Sequence, residues 1–315
     1  MEAHPDSQRV MDLVKRLARP PFETQTPAAA REVYRAGRAV MQPETPDVAE
    51  RRDLVMPGPT GELPLRLYRG LGTQPSDKLP VLVYFHGGGW VIGDRDTHDV
   101  PCAWIANAAK CAVVSVEYRL APENKFPAAV DDAIAATKWV AANAEALGVD
   151  RMRIAVGGDS AGGNLAAVVA LTARESGPKL CYQLLIYPAV DFTHDYEGDD
   201  RFKTDVTLTA AAVLYFREHY LRDIADHTDW RASPLAAASH AGLPPATLIT
   251  AGLDPLHDEG VAYKEKLEAA GVKVIYRHHL GQLHGFLTMS SFIAAAQPEA
   301  EASALELRAA FDAVA

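Results

Sequence analysis

Cysteine is scarce in this chain: Cys102, Cys111 and Cys181 are its only three in 315 residues. They are odd in number, widely spaced and never in a C-x-x-C pair, so neither a disulfide framework nor a thiolate metal site is expected. Set among apolar residues, they read as reduced thiols buried as small hydrophobes. No stretch reaches the roughly eighteen unbroken apolar residues that a membrane span requires. The first turns of the chain carry Glu2, Asp6, Arg9, Asp12, Lys15, Arg16 and Arg19 without an apolar core, which argues against a secretory signal and for a cytoplasmic protein. Positive charge is also in deficit. Lys+Arg number 31 against 41 Asp+Glu, and the formal net charge of −10 disfavours nucleic acid or an anionic membrane as partner. Cofactor signatures are missing too. There is no G-x-x-x-x-G-K-[ST] and no H-E-x-x-H, and Gly87-x-Gly89 is followed by Ile92 where a dinucleotide fingerprint needs glycine. No cofactor and no metal are expected.

What is present is a hydrophobic content of 48%, enough for a large core. Residues 1–48 read as two amphipathic helices, broken at Pro20-Pro21 and ended near Pro43 and Pro46. Val10, Met11, Val14 and Leu17 share one face of the first; Val33, Tyr34, Val40 and Met41 recur in the second. From residue 49 the texture becomes that of strands. Leu63, Leu65 and Leu67 recur with period two, and Pro64 among them favours an edge position. Near-continuous apolar runs follow at 81–85, 112–116, 154–156, 184–187 and 247–250, with a final run at 272–276. Helical segments fall between them at 98–109, 128–147, 161–175 and 256–270, with 292–314 closing the chain and Pro298 interrupting its start. Uninterrupted apolar strands alternating with helices predict an α/β fold with a mostly parallel sheet covered on both faces. The stretch from about 191 to 235 has no strand, is helical at 208–221, and is too long for a simple connection. With residues 1–48 it reads as two halves of a helical lid over a catalytic domain at 49–315.

The chemistry is concentrated at Gly158-Asp159-Ser160-Ala161-Gly162, which lies between the strand at 154–156 and a helix. A G-x-S-x-G in that setting describes a nucleophile elbow, a strained turn that presents the serine hydroxyl above the sheet. A neutral hydroxyl needs a base. His284 fits, in the loop Gly281-Gln282-Leu283-His284-Gly285-Phe286, on the edge where parallel strands end. His278 and His279 are rivals on the strand itself. The acid that orients the base should come from another strand end, between serine and histidine, and Asp254 follows the strand at 247–250. Asp258 and Glu259 read as first-turn acids complementing the dipole of the next helix. His86-Gly87-Gly88-Gly89-Trp90 follows a strand and can turn bare N–H groups toward a substrate oxygen; Ala161 adds another N–H at a helix start.

These motifs together resemble the bacterial hormone-sensitive-lipase-like branch of the α/β-hydrolases. The resemblance covers most of residues 80–290 and includes H-G-G-G-W, G-D-S-A-G-G-N, Tyr118-Arg119-Leu120-Ala121-Pro122-Glu123, Phe126-Pro127-Ala128-Ala129, Asp254-Pro255-Leu256 with Asp258-Glu259-Gly260, and His284-Gly285-Phe286. It implies an α/β-hydrolase fold with an eight-stranded sheet and a helical cap formed by the N-terminus and an insertion after the sixth strand. It implies Ser160, Asp254 and His284 as triad, Gly88, Gly89 and Ala161 as oxyanion donors, and a bracing role for the Tyr118 segment. His257 stands where the family commonly has arginine and reads as a surface substitution. The implied activity is hydrolysis of short- to medium-chain acyl esters of small molecules through an acyl-enzyme, by a monomer or homodimer. An amidase or deacetylase would use the same triad. A non-catalytic binding protein on the same fold would typically have lost a member of it.

Overall fold

The computed structural model describes residues 2–18, 20–196, 202 and 206–314. Eight strands form one sheet: β1 (Glu50–Gly58), β2 (Gly61–Arg69), β3 (Leu79–Phe85), β4 (Ala112–Val116), β5 (Val149–Asp159), β6 (Leu180–Ile186), β7 (Ala246–Leu253) and β8 (Val274–Leu283). Their order is β1-β2-β4-β3-β5-β6-β7-β8. The pairs β1/β2 and β2/β4 are antiparallel, and the remaining pairs are parallel. Because β3 lies between β4 and β5, the winding of the sheet reverses there, and loops leaving β3 and β5 open side by side. In register, Phe85 sits opposite Gly158.

The helices are α1 (Pro5–Leu17), α2 (Pro27–Met41), α3 (Asp99–Ala109), α4 (Ala128–Ala142), α5 (Ala144–Leu147), α6 (Ala161–Ser176), α7 (Ala210–Tyr220), α8 (His257–Ala269) and α9 (Ala296–Asp312). Alternation along β3 explains the layering. Val81, Val83 and Phe85 enter one apolar cluster with α4, α6 and α8, whereas Leu82 and Tyr84 enter the other with α3 and α9. Both faces are covered, which is why β3 is buried at every position. Truncating such a side chain, for instance Leu82→Ala, should cost about 2–5 kcal/mol.

Four details differ from the sequence reading. The strand carrying Pro64 is second from the edge, and β1 is outermost. Pro64 is tolerated because it lies just beyond residues 65–69, the stretch paired with β4, and its carbonyl still accepts the Glu117 N–H at 3.0 Å. The last strand runs on to Leu283 instead of ending at Tyr276. Pro298 sits inside the first turn of α9, where its missing N–H costs nothing, so it does not interrupt the helix. Val40 is 58% exposed and takes no part in the buried face of α2.

Helix α1 docks on β8, the strand at the opposite edge from β1. The His4 N–H donates to the Gly281 carbonyl at 2.9 Å, and Ser7 Oγ donates to Gln282 Oε1 at 2.7 Å. Between β6 and β7, helix α7 reaches back to the turn at 22–24, where the Phe22 and Phe216 rings lie 5.7 Å apart. The segment expected as a lid at 191–235 includes residues 197–201 and 203–205, which lie outside the described residues. Cys102 and Cys111 are buried and Cys181 is partly so, all as free thiols. Among the described residues no helix is long and apolar enough to cross a membrane.

Candidate active site

Strand β5 ends at Asp159 and α6 begins at Ala161, leaving Ser160 alone to make the turn with φ +56°. A non-glycine residue there is strained, and the surroundings must hold it. They do so from two sides: the Ser160 N–H donates to the Ile186 carbonyl at 2.8 Å, and the Asn164 N–H donates to the Ser160 carbonyl at 3.0 Å. Gly162 lets the elbow close on β3. A Cβ built there would lie 1.8 Å from the Phe85 carbonyl oxygen.

The three residues predicted from separate strand ends converge. Ser160 Oγ lies 2.9 Å from His284 Nε2, and His284 Nδ1 lies 2.6 Å from Asp254 Oδ2. With its Nδ1–H donated to the carboxylate, the imidazole presents a lone pair at Nε2 to the serine hydroxyl. The other carboxylate oxygen, Asp254 Oδ1, accepts the Leu256 N–H at 2.8 Å. Asp254 is fully buried, while Ser160 and His284 are each 9% exposed, so the relay opens to solvent at the serine end. Thr207 Oγ1 donates to the His284 carbonyl at 3.0 Å and fixes the loop that bears the base.

The loop after β3 faces the elbow. Gly88 and Gly89 adopt φ of +123° and +57°, and both line the same cavity as Ser160 and His284. Gly87 is committed elsewhere, donating its N–H to Asp159 Oδ1 at 3.0 Å. Among the described residues no backbone acceptor takes the N–H of Gly88 or Gly89. As the first residue of α6, Ala161 has an N–H with no partner inside the helix. These three N–H groups thus lie on the two segments that flank Ser160, the glycine loop and the start of α6.

Sequence reasoning missed what holds this loop. Asp159 accepts from Gly87 and from Tyr84 Oη (2.7 Å), and its second oxygen lies 3.3 Å from His98 Nε2. Burial works against its charge, but His98 and the Tyr84 hydroxyl prevail and hold its carboxyl down to about 2. Burial, helped by His98, lowers the His86 imidazole and favours its neutral form. Tyr118 Oη donates to the His86 carbonyl at 2.7 Å while its ring stacks on the imidazole at 4.3 Å. The Ala121 N–H donates to the Trp90 carbonyl at 2.8 Å. The Tyr118–Ala121 segment therefore braces the glycine loop, as the family resemblance implied.

The rival residues go elsewhere. His279 Nε2 is 2.6 Å from Glu299, and His278 packs 4.6 Å from the His257 ring. Asp258 pairs with His257 Nδ1 at 2.8 Å. His257 itself is 22% exposed at its side chain and packed on His278, so it is not a free surface position. Glu259 does lie in the first turn of α8, but the dipole is not its whole environment: it is 6% exposed, lines the same cavity as Ser160, and accepts from the Val190 N–H (2.6 Å) and Tyr196 Oη (2.5 Å). Burial pushes its carboxyl up to about 8. Among the described residues no group of three or more His, Cys, Asp or Glu is placed to hold a metal.

The cavity above Ser160 is about 90 Å³ and is walled largely by Trp90, Phe192, Val213, Phe216 and Leu256. Of the expected lid residues, Val213, Phe216 and Tyr34 reach it. Val14 and Val33 line a neighbouring cavity, and Val10 and Met11 pack in the core instead. The arrangement supplies a nucleophile, a base with its orienting acid, and donors for a developing oxyanion, which together suit acyl transfer.

A model of the alpha/beta hydrolase fold family matches residues 82–288. The chain is 47% identical over 245 residues to the carboxylic ester hydrolase LipN of Mycobacterium tuberculosis, a match covering 75% of this chain and 64%, under two thirds, of that protein. It is 42% identical over 235 residues to an ethyl acetate hydrolase of Pseudomonas putida, covering 73% of each. Among solved structures it superposes on an ester-hydrolase from the metagenome of Lake Arreo, determined with a bipyridine phosphonate derivative. The TM-score is 0.92 at 41% identity, over 98% of this chain and 99% of that one.

Proposed function

The chain belongs to the alpha/beta hydrolase fold family and is a carboxylic ester hydrolase; from that premise we propose that Ser160, His284 and Asp254 cleave short- to medium-chain acyl esters through an acyl-enzyme. The observation that carries the assignment is the unbroken relay from Ser160 Oγ to His284 (2.9 Å) to Asp254 (2.6 Å). His284 takes the hydroxyl proton as the serine oxygen bonds to the ester carbonyl carbon. Asp254 holds the imidazole in the productive tautomer and stabilises its charge. The carbonyl oxygen becomes an oxyanion among the N–H groups of Gly88, Gly89 and Ala161, each worth about 3–4 kcal/mol in the transition state. His284 then gives its proton to the departing alkoxide, and water repeats the sequence to release the acid.

The cavity of about 90 Å³ supports the small-acyl reading, since drug-sized ligands fill roughly 300–1,000 Å³. That an ethyl acetate hydrolase is among the relatives points the same way. Residues 1–48 and the insertion at about 191–235 act as a cap over this cavity; the contact of Phe22 with Phe216, and the presence of both in the cavity wall, support it. The test is a series of acyl esters of graded length run with wild type and Ser160→Ala. Activity should peak at short chains, and the substitution should remove about 10⁶-fold of kcat. Substantial turnover by purified Ser160→Ala would refute the assignment.

A further inference from the structure

A second cavity adjoins the first. It measures about 430 Å³, and the two share Phe22, Tyr34, Arg38, Thr207 and Met289 as walls. Among the described residues Arg38 is the one lysine or arginine in either wall. Its surroundings are unlike those of its neighbours on α2. Arg31 pairs with Glu123 at 2.6 Å and Arg35 pairs with Asp94 at 2.8 Å. No carboxylate among the described residues lies within ion-pair distance of Arg38. Its Nη1 donates to the Thr288 carbonyl at 2.9 Å and to Met41 Sδ at 4.0 Å, and the guanidinium rests 4.6 Å from the Tyr34 ring centroid. That leaves the rest of a fork of N–H donors, matched in shape to a carboxylate, at the junction of the two chambers.

The carboxylates in the wall of the smaller chamber are engaged elsewhere. Asp159 is tied to Gly87, Tyr84 and His98, Glu259 to Val190 and Tyr196, and Asp191 accepts the Thr193 N–H at 2.8 Å. Glu23 is exposed at the edge of the larger chamber. A partly buried cation with no anion beside it is unfavourable unless a ligand supplies one.

The position of Arg38 says which half of the substrate that is. It contacts the loop that carries the base: Thr288 is its hydrogen-bond partner, and a Cβ at Gly285, next to His284, would lie 3.8 Å from Nη2. The leaving alkoxide must come within reach of His284 to be protonated. The alcohol half of the ester therefore lies toward Arg38 and the larger chamber, and the acyl half toward the smaller. Resting on the proposed triad, we propose that Arg38 binds a carboxylate on the alcohol half, so that the preferred substrates are acyl esters of hydroxy-carboxylic acids.

The test compares 3-acetoxybenzoate with 3-acetoxybenzamide, which differ in charge but share the acetyl group and overall shape. Wild type should favour the carboxylate ester by about 10- to 100-fold in kcat/KM, mainly through KM, and added salt should narrow the gap. Arg38→Gln should collapse that ratio. If Arg38→Gln does not fold, Arg38→Lys, which keeps the charge and loses the fork, should give an intermediate ratio. A wild-type ratio near one, with the neutral ester still turned over, overturns this inference and leaves the triad standing. Failure to hydrolyse either ester counts against the triad as well. A ratio unchanged in the variant overturns the role of Arg38. An equal or larger preference for ethyl hydrogen succinate over ethyl succinamate, where the charge is on the acyl half, overturns the placement.

Discussion

The Asp159 carboxylate accepts the Gly87 N–H at 3.0 Å, so the residue before the nucleophile holds the loop that faces it. The elbow and the glycine loop come from β5 and β3, neighbours at the point where the sheet reverses its winding. A single buried acid keeps them in one geometry.

Asp159→Ala should accordingly impair catalysis without touching the triad. Gly87 loses its acceptor and His98 its partner, and the donors at Gly88 and Gly89 drift from the oxyanion position. A kcat loss of about 10- to 100-fold is expected, with KM little changed. Steady-state kinetics on a short-chain aryl ester would measure it, and a kcat within twofold of wild type would show that the loop holds itself.

Asp254→Asn should keep the shape of the relay and spoil its proton arrangement. An amide can donate to Nδ1, which leaves the wrong tautomer facing the serine. A drop in kcat of about 10⁴-fold is expected. Comparable losses of binding and turnover would instead mean that the loop had collapsed.

Gly89 and α7 should be coupled through space. A Cβ at Gly89 would lie 2.3 Å from the Phe216 ring, on a residue whose φ is +57°. Gly89→Ala should lose most activity, and adding Phe216→Ala should recover part of it by removing the obstruction. No recovery in the double variant would mean that the positive φ alone accounts for the loss.

Glu259 makes a prediction about stability and pH. Its folded carboxyl is raised from 4.5 to about 8. Between those values the native state holds a proton that the unfolded chain has released, so this group's contribution falls as pH rises through that window and levels off above it. The full effect is bounded at roughly 4–5 kcal/mol. Urea midpoints of wild type should therefore decline from pH 5 to 8 relative to those of Glu259→Gln. Parallel curves would contradict the raised value.

The sequence makes Ser160, Asp254 and His284 legible for a physical reason. Ser160 and Asp254 sit close behind apolar strands, His284 lies in a loop beyond the last apolar run, and parallel strands bring their ends to one edge. The glycine loop is legible because few sequences other than consecutive glycines turn their N–H groups outward. Glu259 is not. An acid in the first turn of a helix is ordinarily explained by the dipole, and its partners Val190 and Tyr196 lie 69 and 63 residues earlier. Arg38 is hidden in the same way, since Arg31 and Arg35 on one helix look identical to it until their carboxylates are found. Strand β1 and the far half of β8 escaped because outer strands alternate buried and exposed residues and break the apolar runs that mark the inner ones.

The docking of β8 at the rim of the sheet has a thermal consequence. The nucleophile stands on an interior strand, but the base follows directly from the outermost one, which is secured on its open side by contacts with the start of the chain at His4 and Ser7. Sheet margins fray before interiors do. On heating, the imidazole should part from the serine while most of the sheet is still intact, so activity should vanish at a lower temperature than the ellipticity of the fold.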